Sequence, residues 1–273
     1  MNDVFTGAER GFRMPIHFGP LTGPRWAPEG GWRAVDESQR SVSVWATFDA
    51  DRDDVAAVLP TGFEPAARPD LTVEIKNMSH IGWLGGRGYS VVTVTTGIHR
   101  TGPADDHPAD GRLKLVLWEN HADPIITGRD ELGYPKVFAQ ISDIEVADTT
   151  ARASASWEGF TFLELELEGL MPGSAALPGG ASYHVKYVPR TGVDGGHDVL
   201  QTIVTPPGQG PREVVERLEG EAVLRFHRGT FTELPTLVTI IDALAGIRLG
   251  DCRAAGLVRT RGTTDLRDQI VVA

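Results

Sequence analysis

The sequence predicts a mainly β (α+β) fold, a barrel or two packed antiparallel sheets with a few short helices on the rim. Three observations predict it. Segments that alternate apolar and polar residues recur through the chain, the pattern of strands with one buried and one wet face. Turn-forming residues are abundant, with 32 glycines and 18 prolines in 273 residues. Helical stretches, by contrast, are short and closed by clear stop signals. A chain of this length builds a large core without disulfides, so its single cysteine, Cys252, is read as a packed thiol and no oxidising compartment is implied.

In order along the chain, residues 1–40 are rich in Gly, Pro and Trp and read as an irregular N-terminal arm. Residues 41–273 read as one domain. SVSVWATFDA (41–50) alternates as a strand, and DRDDVAAVLP (51–60) is a short helix opened by aspartates and closed by Pro60. LTVEIKNM (71–78), YSVVTVTTGI (89–98) and RLKLVLWEN (112–120) are further strands, with an exposed loop at 100–111. After Lys136, the segments KVFAQISDIEV, TARASASWEG, FTFLELELEGL, SYHVKYVP, DVLQTIVT and EAVLRFH keep the strand pattern. The breaks at 172–181 and 206–210 read as turns, because similar strands resume on either side. PREVVERLEG (211–220) reads as a short helix, and LPTLVTIIDALAGI, from Leu234, contains another.

Charge narrows the function. The net charge of -11 argues against general affinity for nucleic acid or an anionic membrane. The N-terminus lacks the apolar stretch of a signal peptide, and the most apolar late segment is broken by Asp242 and too short to span a bilayer. A cytoplasmic protein is expected. The eight histidines form no HxxxH or HxH pair, so no metal is expected. GWLGGRG is neither GxGxxG nor a P-loop, and no GxSxG is present. Only four basic residues are lysines, at 76, 114, 136 and 186, against 22 arginines. A lysine in such a background prompts the question of what arginine cannot do there, and the answer is to lose a proton and attack a carbonyl.

The segment DPIITGRDELGYPKV, Asp123 to Val137, carries the chemistry. Asp123 caps a helix with Pro124 in its first turn, Gly133 supplies a left-handed end, and Pro135 forbids continuation. Tyr134, before proline, is pushed to an extended conformation, so Lys136 opens the next strand at a fixed boundary. Such placement suits an amine that must meet a bound carbonyl along one trajectory. The amine also needs a lowered pKa, from burial or a nearby cation, and Arg129 is a local candidate for that cation or for a carboxylate-binding group. The plainer reading of Lys136 is a strand-opening lysine with its head in water.

TGRDELGYPKV resembles the signature of the acetoacetate decarboxylase superfamily, where a glycine-arginine-acid triplet leads through a short helix to an aromatic-Pro-Lys. Gly128, Arg129, Asp130, Tyr134, Pro135 and Lys136 fall at that spacing. The resemblance implies a double-sheet β-barrel or cone, assembled as a homo-oligomer, with no cofactor beyond the covalent imine on Lys136. That family is itself the known example of a lysine activated by desolvation or a neighbouring cation. LTVEIKNM resembles the family strand that carries an active-site glutamate, which maps to Glu74. Arg40 lies within a residue of a substrate-binding arginine. Two departures stand out: Val137 replaces a second lysine, and GWLGGRGYS offers Arg87 and Tyr89 where a second acid belongs.

The expected activity is a lyase acting on a small keto acid, first a β-keto acid decarboxylase. In it, Lys136 forms the imine, Glu74 moves the proton, Tyr89 donates a hydrogen bond, and Arg129 or Arg40 holds the carboxylate. An aldolase-dehydratase acting on pyruvate or another 2-keto acid uses the same lysine. A non-catalytic barrel that binds a small acid is the alternative from another class.

Overall fold

The structure, a computed structural model, describes residues 13–15, 21–27, 31–34, 37–101, 107–207, 212–263 and 268–272. The first half holds β1 (Arg40–Ala50), α1 (Arg52–Val58), β2 (Phe63–Pro65), β3 (Asp70–Ile81), β4 (Arg87–Arg100) and β5 (Asp110–Glu119). Next come α2 (Ala122–Asp130), β6 (Lys136–Phe138), β7 (Gln140–Ile141), β8 (Glu145–Ala147), β9 (Thr150–Trp157) and β10 (Phe160–Pro172). The chain then runs through β11 (Ser182–Pro189), β12 (His197–Thr205), β13 (Glu213–Phe226), α3 (Val238–Ala245), β14 (Leu249–Arg261) and β15 (Ile270–Val271). Strands dominate and helices are few, the mainly β fold read from the sequence. No helix among the described residues is long and apolar enough to cross a membrane.

The strands form one hydrogen-bonded path, β15-β12-β11-β5-β4-β3-β1-β14-β13-β10-β9-β7. The path curls so that the inner faces of β1, β3, β4, β9, β10 and β14 close on one core with α3. Val44, Ile75, Val94, Trp118, Phe162, Leu165, Ile241 and Leu257 belong to it. A smaller cluster, Phe63, Ile98, Leu113, Tyr183 and Val204, packs beneath β11 and β12. Each buried side chain of this size contributes on the order of 1.5–3 kcal/mol, so the core has ample reserve for a costly polar site elsewhere.

The strand β5 is where the sheet divides. Antiparallel β4 covers one of its edges. Two parallel strands share the other: β11 beside Arg112 and Leu113, and β6 beside Leu117, Trp118 and Glu119. Opposite the gap between them, β5 carries a bulge. Val94 pairs with Val116 and Thr95 with Lys114, which leaves Leu115 as the extra residue.

The structure corrects two local expectations. PREVVERLEG is not helical: its described residues from Glu213 open β13, paired with β14 on one side and β10 on the other. Its Glu, Arg and Leu suit a helix in isolation, but helix propensity is a weak preference. Ladder pairing on both edges overrides it, with Glu216 ion-paired to Arg259 at 2.7 Å. The cap of α2 is His121, whose side chain accepts from the Asp123 amide, so Asp123 sits in the first turn rather than before it. The arm's described residues before Arg40, where β1 opens, contain no strand or helix, only an isolated bridge between Trp26 and Trp32.

Candidate active site

Strand alternation builds a polar wall. Glu74, Lys76 and Met78 of β3, Tyr89, Val91 and Thr93 of β4, Ser41 of β1 and Thr260 of β14 line one cavity of about 450 Å³. The residues between them, among them Val73, Ile75, Val92 and Val94, belong to the hydrophobic core. Glu74 therefore faces the cavity and not bulk solvent. In β5 the bulge changes the parity. Lys114 before it and Leu117 and Glu119 after it all line the cavity, although a regular strand would turn Lys114 and Glu119 to opposite faces.

Lys136 is delivered from the opposite side of β5. Helix α2 ends, Gly133 takes a left-handed φ of 72°, and a hydrogen bond from the Lys136 amide to the Tyr134 carbonyl, 2.8 Å, closes a γ-turn at Pro135. Lys136 then opens β6 alongside Leu117, as the stop signals predict. Its side chain crosses directly over α2 at Gly128. A Cβ on Gly128 would sit 2.5 Å from Cδ, Cε and Nζ of Lys136, so the glycine is what leaves room for the lysine.

The Lys136 amine is 2.8 Å from Glu119 Oε1 and donates to the Pro124 carbonyl at 3.0 Å. Both partners are buried, the lysine side chain 8% exposed and the glutamate 2%. Burial holds the Lys136 pKa below its usual value, with Glu119 opposing the shift. Burial likewise pushes the Glu119 carboxyl up, against the pull of Lys136. The two shifts converge, which favours sharing a proton over a fixed ion pair. A neutral Lys136 amine spends its two hydrogens on Glu119 and Pro124 and keeps its lone pair for a carbonyl.

The other carboxylate behaves differently. Burial raises the Glu74 pKa, but Lys76 at 3.0 Å, Ser43 and Arg212 outweigh it, so Glu74 is held ionised. Tyr89 lines the cavity with its pKa raised by burial and by Glu119, which keeps the phenol protonated as a donor. Two amines lie over the ring of Tyr134: its centroid is 5.6 Å from Lys136 Nζ and 5.4 Å from Lys114 Nζ. The buried ring of His184 packs 4.4 Å from Tyr134, and its Nε2 is 2.8 Å from the Leu132 carbonyl. Burial takes the His184 pKa down to about 3, so it stays neutral and acts as packing.

The arm also reaches the cavity. Pro24, Arg25, Arg33 and Ala34 line it, and Trp26 stacks on Trp32 with centroids 4.6 Å apart. Arg33 donates to the carbonyls of Gly23 at 3.0 Å and Trp26 at 3.2 Å. A buried ion pair between Arg13 and Glu131, 3.0 Å, ties the arm to the end of α2.

Of the residues selected from the sequence, Lys136, Glu74 and Tyr89 meet in this cavity. Arg129 and Arg40 do not line it. Arg129 is exposed, and its guanidinium donates to the main-chain carbonyl of Lys136 at 2.8 Å, so it braces the turn without approaching the amine. Burial, not Arg129, is what lowers the lysine pKa. Arg40 is exposed at the start of β1. Glu119, Lys114, Arg25 and Arg33 were not legible as site residues. GWLGGRGYS has no acid, but Glu119, one strand further on, brings a carboxylate to the cavity.

A sequence model of the family described as Acetoacetate decarboxylase (ADC) matches residues 13–249. No curated protein matches the chain by sequence. Among solved structures, an acetoacetate decarboxylase superposes with a TM-score of 0.65 at 13% identity, covering 87% of this chain and 90% of that one. The acetoacetate decarboxylase of Legionella pneumophila subsp. pneumophila str. Philadelphia 1 gives 0.60 at 16% identity, with 90% and 92% covered. The enduracididine biosynthesis enzyme MppR, complexed with pyruvate, gives 0.62 at 14% identity, with 90% and 95% covered. These identities speak for a shared fold, and the family model spans most of the sequence: the chain belongs to the acetoacetate decarboxylase family.

Proposed function

We propose that this chain is a lyase that forms an imine between Lys136 and the ketone of a small keto acid, and that it decarboxylates a β-keto acid. The observation that carries the reading is the buried contact of Lys136 Nζ with Glu119 at 2.8 Å, an amine and a proton carrier in one dry corner. Neutral Lys136 attacks the carbonyl carbon, and the carbinolamine loses water with a proton from Glu119 to give the protonated imine. The bond to the carboxylate carbon breaks, its electron pair enters the imine, and carbon dioxide leaves. Glu119, recharged with a proton from solvent, passes it to the resulting enamine carbon, and water then adds to the iminium carbon, its proton returning to Glu119 as the ketone and the neutral lysine are released. Glu74, held ionised beside Lys76, stabilises the cationic imine instead of moving the proton. Tyr89 donates a hydrogen bond to the reacting oxygen. No external cofactor enters this scheme.

A second reading has its own support. A cavity of about 450 Å³ exceeds the needs of a four-carbon acid, and Lys76, Lys114, Arg25, Arg33 and Arg212 add positive charge to it. That suits a 2-keto acid that keeps its carboxylate while its enamine adds to an aldehyde or eliminates water. MppR, by its own description, binds the condensation product of pyruvate and imidazole 4-carboxaldehyde. Borohydride trapping with acetoacetate and with pyruvate, followed by peptide mass spectrometry, tests the shared step. An adduct on Lys136, absent in Lys136→Ala, supports it, and carbon dioxide release from unreduced acetoacetate separates the two readings. No adduct with either acid favours a barrel that only binds. The homo-oligomer expected from the resemblance belongs to this proposal, and sedimentation equilibrium tests it.

A further inference from the structure

Lys114 is the charged group of the cavity that the scheme above leaves unused. The β5 bulge places it on the same wall as Glu119. Its amine and that of Lys136 both lie over a single ring, Tyr134, at 5.4 and 5.6 Å from the centroid. Both nitrogens thus sit within 5.6 Å of one ring centroid, on the lining of one cavity.

The charge of Lys114 is not neutralised by an ion pair with any described acid. Its hydrogen bond goes to the hydroxyl of Ser182 on β11, a neutral partner. Glu74, the acid that acts on it most, is held by Lys76 at 3.0 Å. Burial lowers the Lys114 pKa to about 8, which still leaves it mainly charged at pH 7. An ammonium in a buried wall with no ion-pair partner of its own is half of a charge-assisted pair, and a carboxylate is its complement. Lysine also suits the position mechanically, since its three donors allow it to keep Ser182 and take a carboxylate oxygen together. The arginines first considered for this role are elsewhere, Arg129 on a backbone carbonyl and Arg40 exposed at the start of β1.

We infer that Lys114 is the cation that holds the carboxylate of the keto acid whose carbonyl meets Lys136. The inference rests on the imine reading for its substrate class but not for its geometry, and the two can fail separately. Acetoacetate and acetone differ by the carboxylate alone. Borohydride trapping on Lys136 is therefore compared for these two in the wild type, Lys114→Met and Lys114→Arg, with Lys114→Gln in reserve if the Met variant does not fold. The wild type is expected to prefer the acid by at least tenfold in half-saturating concentration. Lys114→Met is expected to lose that preference by tenfold or more, and Lys114→Arg to keep most of it. An acid-over-ketone ratio unchanged in Lys114→Met overturns the inference. If nothing is trapped at all, the imine reading falls, and calorimetry with butyrate, which has no ketone, still reads the subsite. Binding by wild type and Lys114→Arg with a tenfold loss in Lys114→Met supports it. Equal binding by all three, or none, overturns it.

Discussion

Strands β3, β4 and β5 turn two unlike faces from one backbone. Val73, Ile75, Val92, Val94, Val116 and Trp118 form a dry face, none more than 4% exposed. Glu74, Lys76, Tyr89, Lys114 and Glu119, on the same three strands, form a largely enclosed polar wall that holds four ionisable amines and carboxyls. The first face earns stability by removing apolar area from water. The second costs stability, because each ion there has lost its hydration, and that same loss moves the pKa values toward catalysis. The contrast teaches that reactivity here is a property of the face and not of the strand. A substitution on one face should read out in folding, and on the other in chemistry.

The largest break in that contrast is Lys136→Ala. Turnover is expected to fall by about 10⁴-fold or more, while the thermal midpoint holds or rises, as steady-state kinetics beside differential scanning fluorimetry would show. Glu119→Gln keeps the shape and the contact but not the proton. Here kcat should drop by about 10² to 10⁴-fold. Without the anion that opposes its shift, the Lys136 pKa should fall further and carry the acid limb of the pH–rate profile down with it. On the dry face, Trp118→Ala should act in reverse, costing about 3–5 kcal/mol in urea denaturation. Any remaining folded fraction should keep the wild-type pH profile.

Two subtler substitutions sharpen the boundary between the faces. Gly128→Ala adds a better helix former to α2 but pushes its methyl into the Lys136 side chain. Imine formation should slow by about 10²-fold in stopped-flow trapping, with no loss of the folded state. The smallest effect concerns Lys114, which faces Glu74 and Lys76 of β3, Arg112 on its own strand, Tyr134, and Ser182 of β11. Its folded pKa of about 8 lies below the usual 10.5, so between these values the unfolded chain holds a proton that the folded chain has lost. Stability from this group is therefore lowest below pH 8 and recovers as the pH rises toward 10.5. The stability gap between Lys114→Met and the wild type should narrow over that range in paired urea titrations.

What could be read from the sequence was local. The Gly-Tyr-Pro-Lys stop, the strand start at Lys136 and the alternation that puts Glu74 opposite Val73 and Ile75 all depend on residues within a few positions of one another. Glu119 and Lys114 escaped because they lie five positions apart in RLKLVLWE, and strict alternation sends them to opposite faces. Only the bulge, set by pairing with β4, brings them together. PREVVERLEG misled for a related reason, since its two partner strands lie far from it in the chain. Arg129 stood at the family spacing, yet its exposed position directs its guanidinium to a carbonyl. The reach of the arm into the cavity rests on contacts such as Arg13 with Glu131, 118 positions apart, which no local pattern announces.

The scarcity of lysine has a practical side. Lys76, Lys114 and Lys136 all line the cavity, and the amine of the fourth, Lys186, donates to the Asp130 carbonyl. The outer surface thus carries its positive charge almost wholly as arginine, which ordinary amine-directed reagents leave untouched. Apart from the α-amino group and Lys186, an acylating or carbonyl reagent that consumes this protein's amines is titrating the cavity, so labelling read peptide by peptide reports on three lining lysines without any engineering.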